Sequence, residues 1–214
     1  MIVPTLNEAP VIGPLLTNLA AQTGDFETIV SDGGSTDATL AAVDGQAKIV
    51  TGPPGRAGQL NRGAAIASGE VLLFLHADTA LPPGALDRVR RVISQGRIGG
   101  CFLNRFSGTG WTRCLVDPVR DLRTRLWGEF YGDNAIFLRR DLFERLGGFH
   151  PLPVMEDYDI AVRMRRAGRI AVIPDRVLTS ARRFRANGWI RQWIRNQRIK
   201  LAYHRRRSLE GLYE

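Results

Sequence analysis

Asp32 and Asp78 are carboxylates that come just after apolar runs, a placement that suits ligand binding. Asp32 follows residues 29–31, and Asp78 comes three positions after the continuous apolar run at residues 71–75. Runs of this kind predict buried strands. The carboxyl ends of parallel strands meet at one edge of an open α/β sheet, where ligands bind. We therefore expect Asp32 and Asp78 to lie at one edge of the same sheet.

The two carboxylates suit different ligands. Asp32 only accepts hydrogen bonds, and Gly33 and Gly34 let a ligand approach the backbone closely, which favours a ribose hydroxyl or a base N–H. The oxygens of Asp78 suit Mg²⁺ or Mn²⁺, which keep open positions for phosphate oxygens. His76 points the same way as Asp78 if the backbone stays extended. The alternatives are a solvated Asp32 at a strand–turn–helix joint, and a helix-capping Asp78 beside a hydrogen-bonded histidine.

Composition sets the class of protein. The chain has 214 residues, of which 44% are hydrophobic and 24% charged, as expected for a globular protein with a sizeable core. No apolar run approaches the roughly 18 residues that a membrane span needs. The opening residues 1–4 predict no signal peptide. Cys101 and Cys114 have no C-x-x-C spacing and are expected to be reduced, which favours a cytoplasmic location.

The segments that must position these residues alternate between strand-like and helix-like patterns. This alternation predicts an α/β fold with a mostly parallel central sheet flanked by helices. Ser35 is the expected N-cap of the helix after Asp32. We expect strands at residues 1–4, 27–31, 48–51, 71–75, 99–106, 135–138 and 176–180. We expect helices at residues 10–21, 36–43, 57–67, 83–95, 111–126 and 141–146, and a helical pattern after Asp157.

The positive charge is concentrated near the carboxyl end. The net charge is +9, and residues from Arg182 onward carry ten basic and two acidic groups, or +8. Residues 186–214 are expected to form a basic amphipathic helical tail after a domain at residues 1–185. Three interpretations stay open: contact with an anionic membrane, packing on the body or on a second subunit of a homodimer, and contact with nucleic acid. The body has no second basic region, so we expect no nucleic-acid partner.

Five motifs, in this order and spacing, resemble the family-2 glycosyltransferases with the GT-A fold. The resemblance covers residues 1–185 and implies an inverting, metal-dependent transfer of a sugar. The donor would be a nucleotide diphosphate sugar, and the acceptor an unidentified saccharide, lipid or small molecule. Two further segments, at residues 131–134 and 180–183, suggest a compact bacterial subgroup. The five motifs are Pro4-Thr5-Leu6-Asn7-Glu8, Ser31-Asp32-Gly33-Gly34-Ser35-Thr36-Asp37, Gly55-Arg56-Ala57-Gly58-Gln59-Leu60-Asn61-Arg62-Gly63-Ala64, His76-Ala77-Asp78 and Met155-Glu156-Asp157-Tyr158-Asp159.

The resemblance also implies roles on the donor side. Pro4 and Glu8 would line the base and ribose, and Asp32 would bind the edge of a uracil-type base or the ribose. Asp78 matches the last position of the Asp-x-Asp motif and would hold Mg²⁺ or Mn²⁺ on the diphosphate. His76 replaces the first Asp of that motif, so it is a candidate metal ligand, ribose contact or spacer. Further donor-binding candidates are Arg56, Asn61, Ala77, and the diphosphate-holding pair Arg182 and Arg183.

Asp157 matches the family's general base, and Glu156 is the second catalytic candidate. Sugar transfer needs the charge of the leaving diphosphate neutralised by a metal and arginines. Inversion needs a base on the opposite face of the sugar to take the acceptor's proton. The alternative for this pair is that acids merely stabilise a helix N-terminus. Asp159 is expected to face the arginines one helical turn later.

Two other functions stay open from the residues. A nucleotidyltransferase would use a similar sheet, but no Gly-rich loop ending in Arg, with a downstream Pro-Lys, follows the first strand. A non-catalytic module that binds nucleotides or a lipid surface would be favoured if His76 abolishes metal binding.

Overall fold

The strands form one mixed sheet. The computed structural model describes residues 1–107, 117–182 and 188–205, and within them eight strands pair in the order β3-β2-β1-β4-β7-β6-β8-β5. The strands are β1 (Ile2–Thr5), β2 (Ile29–Asp32), β3 (Lys48–Thr51), β4 (Val71–Phe74), β5 (Thr79–Ala80), β6 (Gly99–Phe106), β7 (Ile136–Arg139) and β8 (Ala171–Thr179).

The direction of the strands decides which ends meet. β1 is parallel to β2 and β4, and β2 is parallel to β3, so the carboxyl ends of these four strands share one edge. β6 and β8 are also parallel. β7 runs antiparallel to both of its neighbours, β4 and β6, and β5 runs antiparallel to β8. The predicted α/β class is confirmed, and β1 to β4 form the larger of the two parallel groups of strands.

Helices cover both faces of the sheet. Leu73 and Leu75 enter one hydrophobic core, with α1 and α4, whereas Leu72 and Phe74 enter a second core, with α3, α6 and α7. This alternation follows from the two-residue period of a strand, and it explains why β4 is apolar throughout. The helices are α1 (Ala9–Ala20), α2 (Thr39–Val43), α3 (Arg56–Ile66), α4 (Ala85–Ser94), α5 (Asp117–Trp127), α6 (Arg140–Arg145), α7 (Glu156–Ala167) and α8 (Trp189–His204).

The predicted start of α2 was wrong. Ser35 is not its N-cap, because the helix begins at Thr39 and is preceded by Ala38. Before that point the Thr36 amide donates to the Asn7 side chain and the Thr39 amide donates to Asp37 Oδ1. These side-chain acceptors hold the segment as a loop, since they take the place of helical backbone partners.

The predicted helix at residues 111–126 lies partly outside the described residues, and its described part is α5. Strand β5 was not predicted, and it has only two residues. Its Thr79 hydroxyl lies 3.1 Å from the Thr179 hydroxyl of β8. A two-residue strand leaves no periodic pattern to detect, because the period itself is two residues.

The described part of the tail, α8, packs on the body. Ile199 and Ala202 form a small buried cluster with Val154. The Tyr203 hydroxyl donates to Asp159 Oδ1 at 2.8 Å. Of the three interpretations of the tail, packing on the body is therefore observed for this face of α8. The domain boundary at residue 185 stays a prediction. Within the described residues, no helix has both the length and the apolar character required to cross a membrane.

Candidate active site

The loops after β1 and β2 are interlocked at the carboxyl edge of the sheet. The Asn7 amide donates to the Ser35 hydroxyl at 2.9 Å, and the Glu8 amide donates to the Thr39 hydroxyl at 2.8 Å. The Ala9 amide donates to Asp37 Oδ2 at 3.2 Å, at the first turn of α1. The edge where a donor is expected is thus built from two loops that hold each other.

Asp32 is the centre of this arrangement. Its Oδ2 accepts the Gly34 and Ser35 amides at 2.8 and 2.7 Å, and its Oδ1 accepts the Thr5 and Ser35 hydroxyls at 2.9 and 2.5 Å. Burial by itself raises the pKa of Asp32, but these hydrogen bonds outweigh it and the pKa is lowered. Asp32 is fully buried, so in this structure it shapes the loop, and its donor-binding role stays a prediction.

Glu8 and Arg182 face each other across the same edge. Arg182 Nη2 lies 3.0 Å from Glu8 Oε2, and this hydrogen bond, together with the charges of Glu8 and Asp78, raises the pKa of Arg182. The Ser180 amide donates to the Asp78 carbonyl at 3.2 Å, which joins the end of β8 to the loop after β4. The structure therefore brings three predicted donor-side residues together. Arg183 lies outside the described residues.

The His76-Ala77-Asp78 segment is a turn rather than an extended strand. The Thr79 amide donates to the His76 carbonyl at 3.1 Å, which closes the turn. The condition under which His76 and Asp78 would point the same way is therefore not met. A Cβ built on Gly132 would lie 2.3 Å from His76 Nε2 and 3.2 Å from Asp157 Oδ2. His76 is thus on the side of the base candidate, and its role as a metal ligand stays a prediction.

Asp157 is buried at the start of α7 and held by backbone amides. Its Oδ2 accepts the Gly132 amide and its Oδ1 accepts the Tyr158 amide, each at 2.7 Å. Met155, which precedes the helix, has φ 69°, in the left-handed region that non-glycine residues rarely adopt. This conformation turns the chain into α7 and places Glu156 and Asp157 in its first turn, where acids are favoured.

Burial raises the pKa values of both Glu156 and Asp157. It raises the pKa of Glu156 to about 7, helped by the charge of Asp157 and opposed by Arg56, whose Nη1 lies 3.2 Å from Glu156 Oε1. Burial likewise raises the pKa of Asp157, against the opposing effects of Arg56 and the Gly132 amide. A carboxylate with a raised pKa is a stronger base than an exposed one. This chemistry makes Asp157 and Glu156 candidates for taking a proton from a hydroxyl.

A small cavity lies beside the Asp157 carboxylate. Its volume is about 10 Å³, close to the space that one water molecule needs. Arg56, His76, Gly132 and Asp157 line it together with apolar side chains of both cores. The loop after β4 therefore joins the two groups of candidate residues. Its Asp78 lies near Arg182, the partner of Glu8, and its His76 lies near Asp157.

Three residues predicted to bind the donor, Asn61, Ala77 and Pro4, make contacts within the protein itself. The Asn61 side chain donates to the Phe149 carbonyl at 2.8 Å and accepts the Phe149 amide at 2.9 Å, so both of its polar atoms link α3 to that segment. Ala77 is buried in the turn. Pro4 is half-buried in β1, beside Ser31 of β2. Their predicted contacts with a donor stay predictions.

Sequence reasoning missed two residues that organise the site. Gln59 is buried, and its amide donates to the carbonyls of Thr5 and Ser31 at 2.7 and 3.1 Å, which ties the ends of β1 and β2 together. Gly132 donates to the base candidate and leaves no room for a side chain. Gln59 lies in the motif at residues 55–64, and Gly132 lies in the segment at residues 131–134. Their contacts are with residues far away in sequence, and such contacts leave no pattern in the local sequence.

The metal candidates are few. In the part of the chain that the structure describes, no group of three or more His, Cys, Asp or Glu side chains could hold a metal ion. Mg²⁺ and Mn²⁺ at phosphate sites commonly use only one or two protein carboxylates, with phosphate oxygens and water completing the shell. The Asp78 carboxylate therefore fits such an ion in the presence of a diphosphate.

Comparisons with known proteins agree on one family. A family model described as "Glycosyl transferase family 2" matches residues 1–147. A PGL/p-HBAD biosynthesis glycosyltransferase of Mycobacterium tuberculosis is 34% identical over 178 residues, covering 76% of this chain and 68% of the relative. A beta-monoglucosyldiacylglycerol synthase of Nostoc is 26% identical over 191 residues, covering 77% of this chain and 40% of the relative.

Solved structures show the same fold. A mannosyltransferase of Pyrobaculum calidifontis, solved in complex with GDP-Man and Mn²⁺, is 27% identical with a TM-score of 0.66. The match covers 83% of this chain and 55% of that one. S. aureus TarS is 21% identical with a TM-score of 0.68, covering 84% of this chain and 36% of that one, and shows the fold alone.

Proposed function

The chain belongs to glycosyl transferase family 2, with its GT-A fold, and from this membership we propose that it is an inverting enzyme with a nucleotide diphosphate sugar as donor. The observation that carries the proposal is the buried carboxylate of Asp157, which two backbone amides hold beside a small cavity. Such a carboxylate fits the general base that inversion requires.

The donor would bind at the carboxyl edge of β1, β2 and β4. Glu8 and the loop that Asp32 organises would face the base and ribose, and Arg182 would face the diphosphate, with Arg183 as a second candidate. A guanidinium suits phosphate because its fork donates hydrogen bonds in pairs. The ion pair between Arg182 and Glu8 supports this placement. So does the Pyrobaculum structure with GDP-Man, an enzyme of the same fold.

A divalent cation, Mg²⁺ or Mn²⁺, is the proposed cofactor. Asp78 would hold it, and His76 is the second candidate ligand. When bound, the ion would neutralise the charge on the leaving diphosphate. The Mn²⁺ in the Pyrobaculum structure supports this part of the proposal. The residues of this chain would hold the diphosphate next to Asp78 and keep the reacting centre near His76 and Gly132.

Asp157 would take the proton of the acceptor hydroxyl. The acceptor oxygen then forms a bond to the anomeric carbon while the bond to the diphosphate breaks, and the diphosphate leaves with the electron pair. The Gly132 and Tyr158 amides keep the carboxylate from rotating. Glu156, paired with Arg56, would maintain the charge balance around it.

The acceptor is the least defined partner. A saccharide, a lipid and a small molecule all fit the chemistry, and the name of the Nostoc relative, a beta-monoglucosyldiacylglycerol synthase, supports a lipid. A cytoplasmic location at the inner face of the membrane, a contact between the tail and an anionic membrane, and a homodimer belong to the same proposal.

The test is a panel of nucleotide sugars with and without Mn²⁺. Thermal unfolding identifies the donor, because a ligand at 100 times its Kd stabilises the native state by about 2.7 kcal/mol. The product then identifies the reaction. Sugar transfer releases a nucleoside diphosphate, nucleotidyl transfer releases pyrophosphate, and a binding module releases neither. Pyrophosphate, or no product with any donor and acceptor, would overturn the proposal.

A further inference from the structure

Helix α5 exposes a row of large apolar side chains. Val119 is 67% exposed, Leu122 53%, Leu126 64% and Trp127 59%. The first three are spaced by three and four residues and therefore lie on one face of the helix. A contiguous apolar surface of this kind marks an interaction site more often than scattered single residues do.

The acidic groups of α5 are turned away from this face. Asp117 is buried, and Asp121 pairs with Arg176 of β8. Arg125, in contrast, is exposed. The outward surface of α5 is therefore apolar with a positive charge and without an exposed acid.

Helix α8 carries a second outward row in which basic and apolar side chains alternate. Arg191, Ile194, Arg198, Leu201 and Arg205 are all exposed and follow a 3-4-3-4 spacing, so they share one face. Ile194 is 46% exposed and Leu201 49%. No acid occurs between residues 189 and 209. Ile199 and Ala202, which are buried, pack the remaining side of α8 against the body.

One residue joins the two helices next to the candidate active site. Glu129, just after α5, accepts Lys200 Nζ of α8 at 2.6 and 2.7 Å and lies 3.4 Å from Arg123 Nε of α5. Tyr131, two residues further, stacks on Tyr158 with ring centroids 5.5 Å apart. The next residue is Gly132, which donates to the base candidate. The helices that carry the two outward rows are therefore joined at Glu129, three residues before the glycine that contacts Asp157.

We propose that the outward faces of α5 and α8 form a docking surface for a bilayer that contains anionic phospholipids. Leu122, Leu126 and Trp127 suit the boundary between headgroups and acyl chains. The arginines of α8 suit lipid phosphates, since long basic side chains reach the headgroups while apolar neighbours enter the membrane. The surface would hold the protein where a lipid acceptor is presented close to Asp157.

Other occupants fit this surface less well. A second copy using this surface would have to bury the arginines of α8 against faces that offer no exposed acid to pair with them, which is a costly contact. A nucleic acid would use the arginines but not the aliphatic row of α5. A bilayer with anionic headgroups takes both. The inference deepens the proposed function by naming the surface and the lipid class, and the placing of a lipid acceptor near Asp157 rests on that function, whichever sugar is transferred.

Co-sedimentation with vesicles tests the proposal without any nucleotide. Vesicles of phosphatidylcholine alone are compared with vesicles that also contain phosphatidylglycerol. We expect binding only to the vesicles with phosphatidylglycerol, and we expect it to weaken with added salt.

Variants of the two helices test the surface itself. Arg191→Gln with Arg198→Gln should lower the affinity about fivefold for each arginine. Leu122→Gln with Leu126→Gln should lower it about tenfold or more, since apolar burial is lost. All four positions are exposed, so thermal unfolding should match the parent.

Matched controls separate this surface from general charge and hydrophobicity. Arg91→Gln with Arg169→Gln removes two exposed arginines outside α5 and α8. Ile49→Gln with Ile66→Gln removes two apolar side chains that are each 43% exposed. Neither control should change vesicle binding.

Three results would overturn the proposal: equal binding to both kinds of vesicle, no binding to either, or equal losses of binding in the controls and the variants. So would a dimer that the Leu122 and Leu126 substitutions dissociate. Failure of sugar transfer with intact vesicle binding would refute the proposed function alone.

Discussion

The Gly132 amide and the Oδ2 atom of Asp157 lie 2.7 Å apart, and the hydrogen bond between them fixes one oxygen of the proposed base. The same glycine approaches His76 so closely that no side chain fits between them. The position of the base therefore depends on a residue 25 positions earlier that has no side chain of its own.

Gly132→Ala should reduce sugar transfer about 100-fold, since a displacement of about 1 Å at a catalytic group has an effect of that size. The added Cβ would lie 2.3 Å from His76 Nε2 and 3.2 Å from Asp157 Oδ2, so one of them must move. The control is Gly13→Ala in α1, where a Cβ meets nothing within 4 Å. Rates of both variants are compared at saturating donor. Normal transfer by Gly132→Ala would show that this contact is dispensable.

Asp157→Asn should retain nucleotide binding and lose transfer by roughly 10²–10⁴-fold, the range typical of a lost general base. The matched control is Asp159→Asn in the same helix. Asp159 pairs with Arg163 at 2.7 Å and accepts the Tyr203 hydroxyl, so its loss should lower stability and leave the reaction itself intact. Donor titrations and initial rates distinguish the two. If Asp157→Asn transfers sugar normally, Glu156 becomes the first candidate.

Asp78→Ala should remove the stimulation of nucleotide binding by Mn²⁺ with little loss of stability, because Asp78 is the proposed metal ligand. Asp87→Ala in α4 is the control, since Asp87 pairs with Arg90 on the surface and faces no predicted ligand. Calorimetric titration with a nucleoside diphosphate, with and without Mn²⁺, measures the difference. An unchanged metal effect in Asp78→Ala would place the metal elsewhere.

Glu156→Gln should change how stability depends on pH. The pKa of Glu156 is raised from 4.5 to about 7 in the folded protein, so between these values the native state binds more protons than the unfolded state. The parent therefore loses stability as pH rises through this window, with up to about 3 kcal/mol from Glu156, and the variant loses less because only Asp157 keeps a raised pKa. Urea unfolding at about pH 4.5 and about pH 8 measures this. The exposed Glu144→Gln is the control, and a pH-independent difference for Glu156→Gln would contradict the raised pKa.

Ile199→Ala should lower the free energy of unfolding by about 2–4 kcal/mol, because Ile199 is 4% exposed and fills the cluster between α8 and the body. Ile194→Ala, on the exposed face of the same helix, should change it by less than about 0.5 kcal/mol. Chemical denaturation of both variants gives the comparison. Equal effects at the two positions would mean that α8 does not pack on the body as described.

The strands could be predicted from sequence wherever burial imposes a pattern. Lys48–Thr51 and Gly99–Phe106 have the expected bounds, and α1, α3 and α6 begin within a residue of their expected starts. The direction of β7 could not be predicted. Its apolar pattern is the same whether it runs parallel or antiparallel to β4, because both faces of the sheet are covered.

The site was predictable as a set of residues but not as an arrangement. Asp32 was expected to face a ligand, and its oxygens instead accept hydrogen bonds from Thr5, Gly34 and Ser35. Whether a carboxylate turns toward solvent or toward its own loop depends on the loop conformation, which local composition does not determine. Asp159, by contrast, faces Arg163 as predicted, since a spacing of four residues along a helix fixes that contact.

The ion pair between Glu8 and Arg182 joins residues 174 positions apart. A nascent chain leaves the ribosome amino end first at about 5–20 residues per second, so Arg182 appears roughly ten seconds or more after Glu8. During that interval β1 to β4 can pair, while the edge they form lacks the arginine that closes it. Nascent chains that have reached β4 therefore carry the proposed donor edge without Arg182, and the ion pair that joins the two ends of the chain at this edge forms late in synthesis.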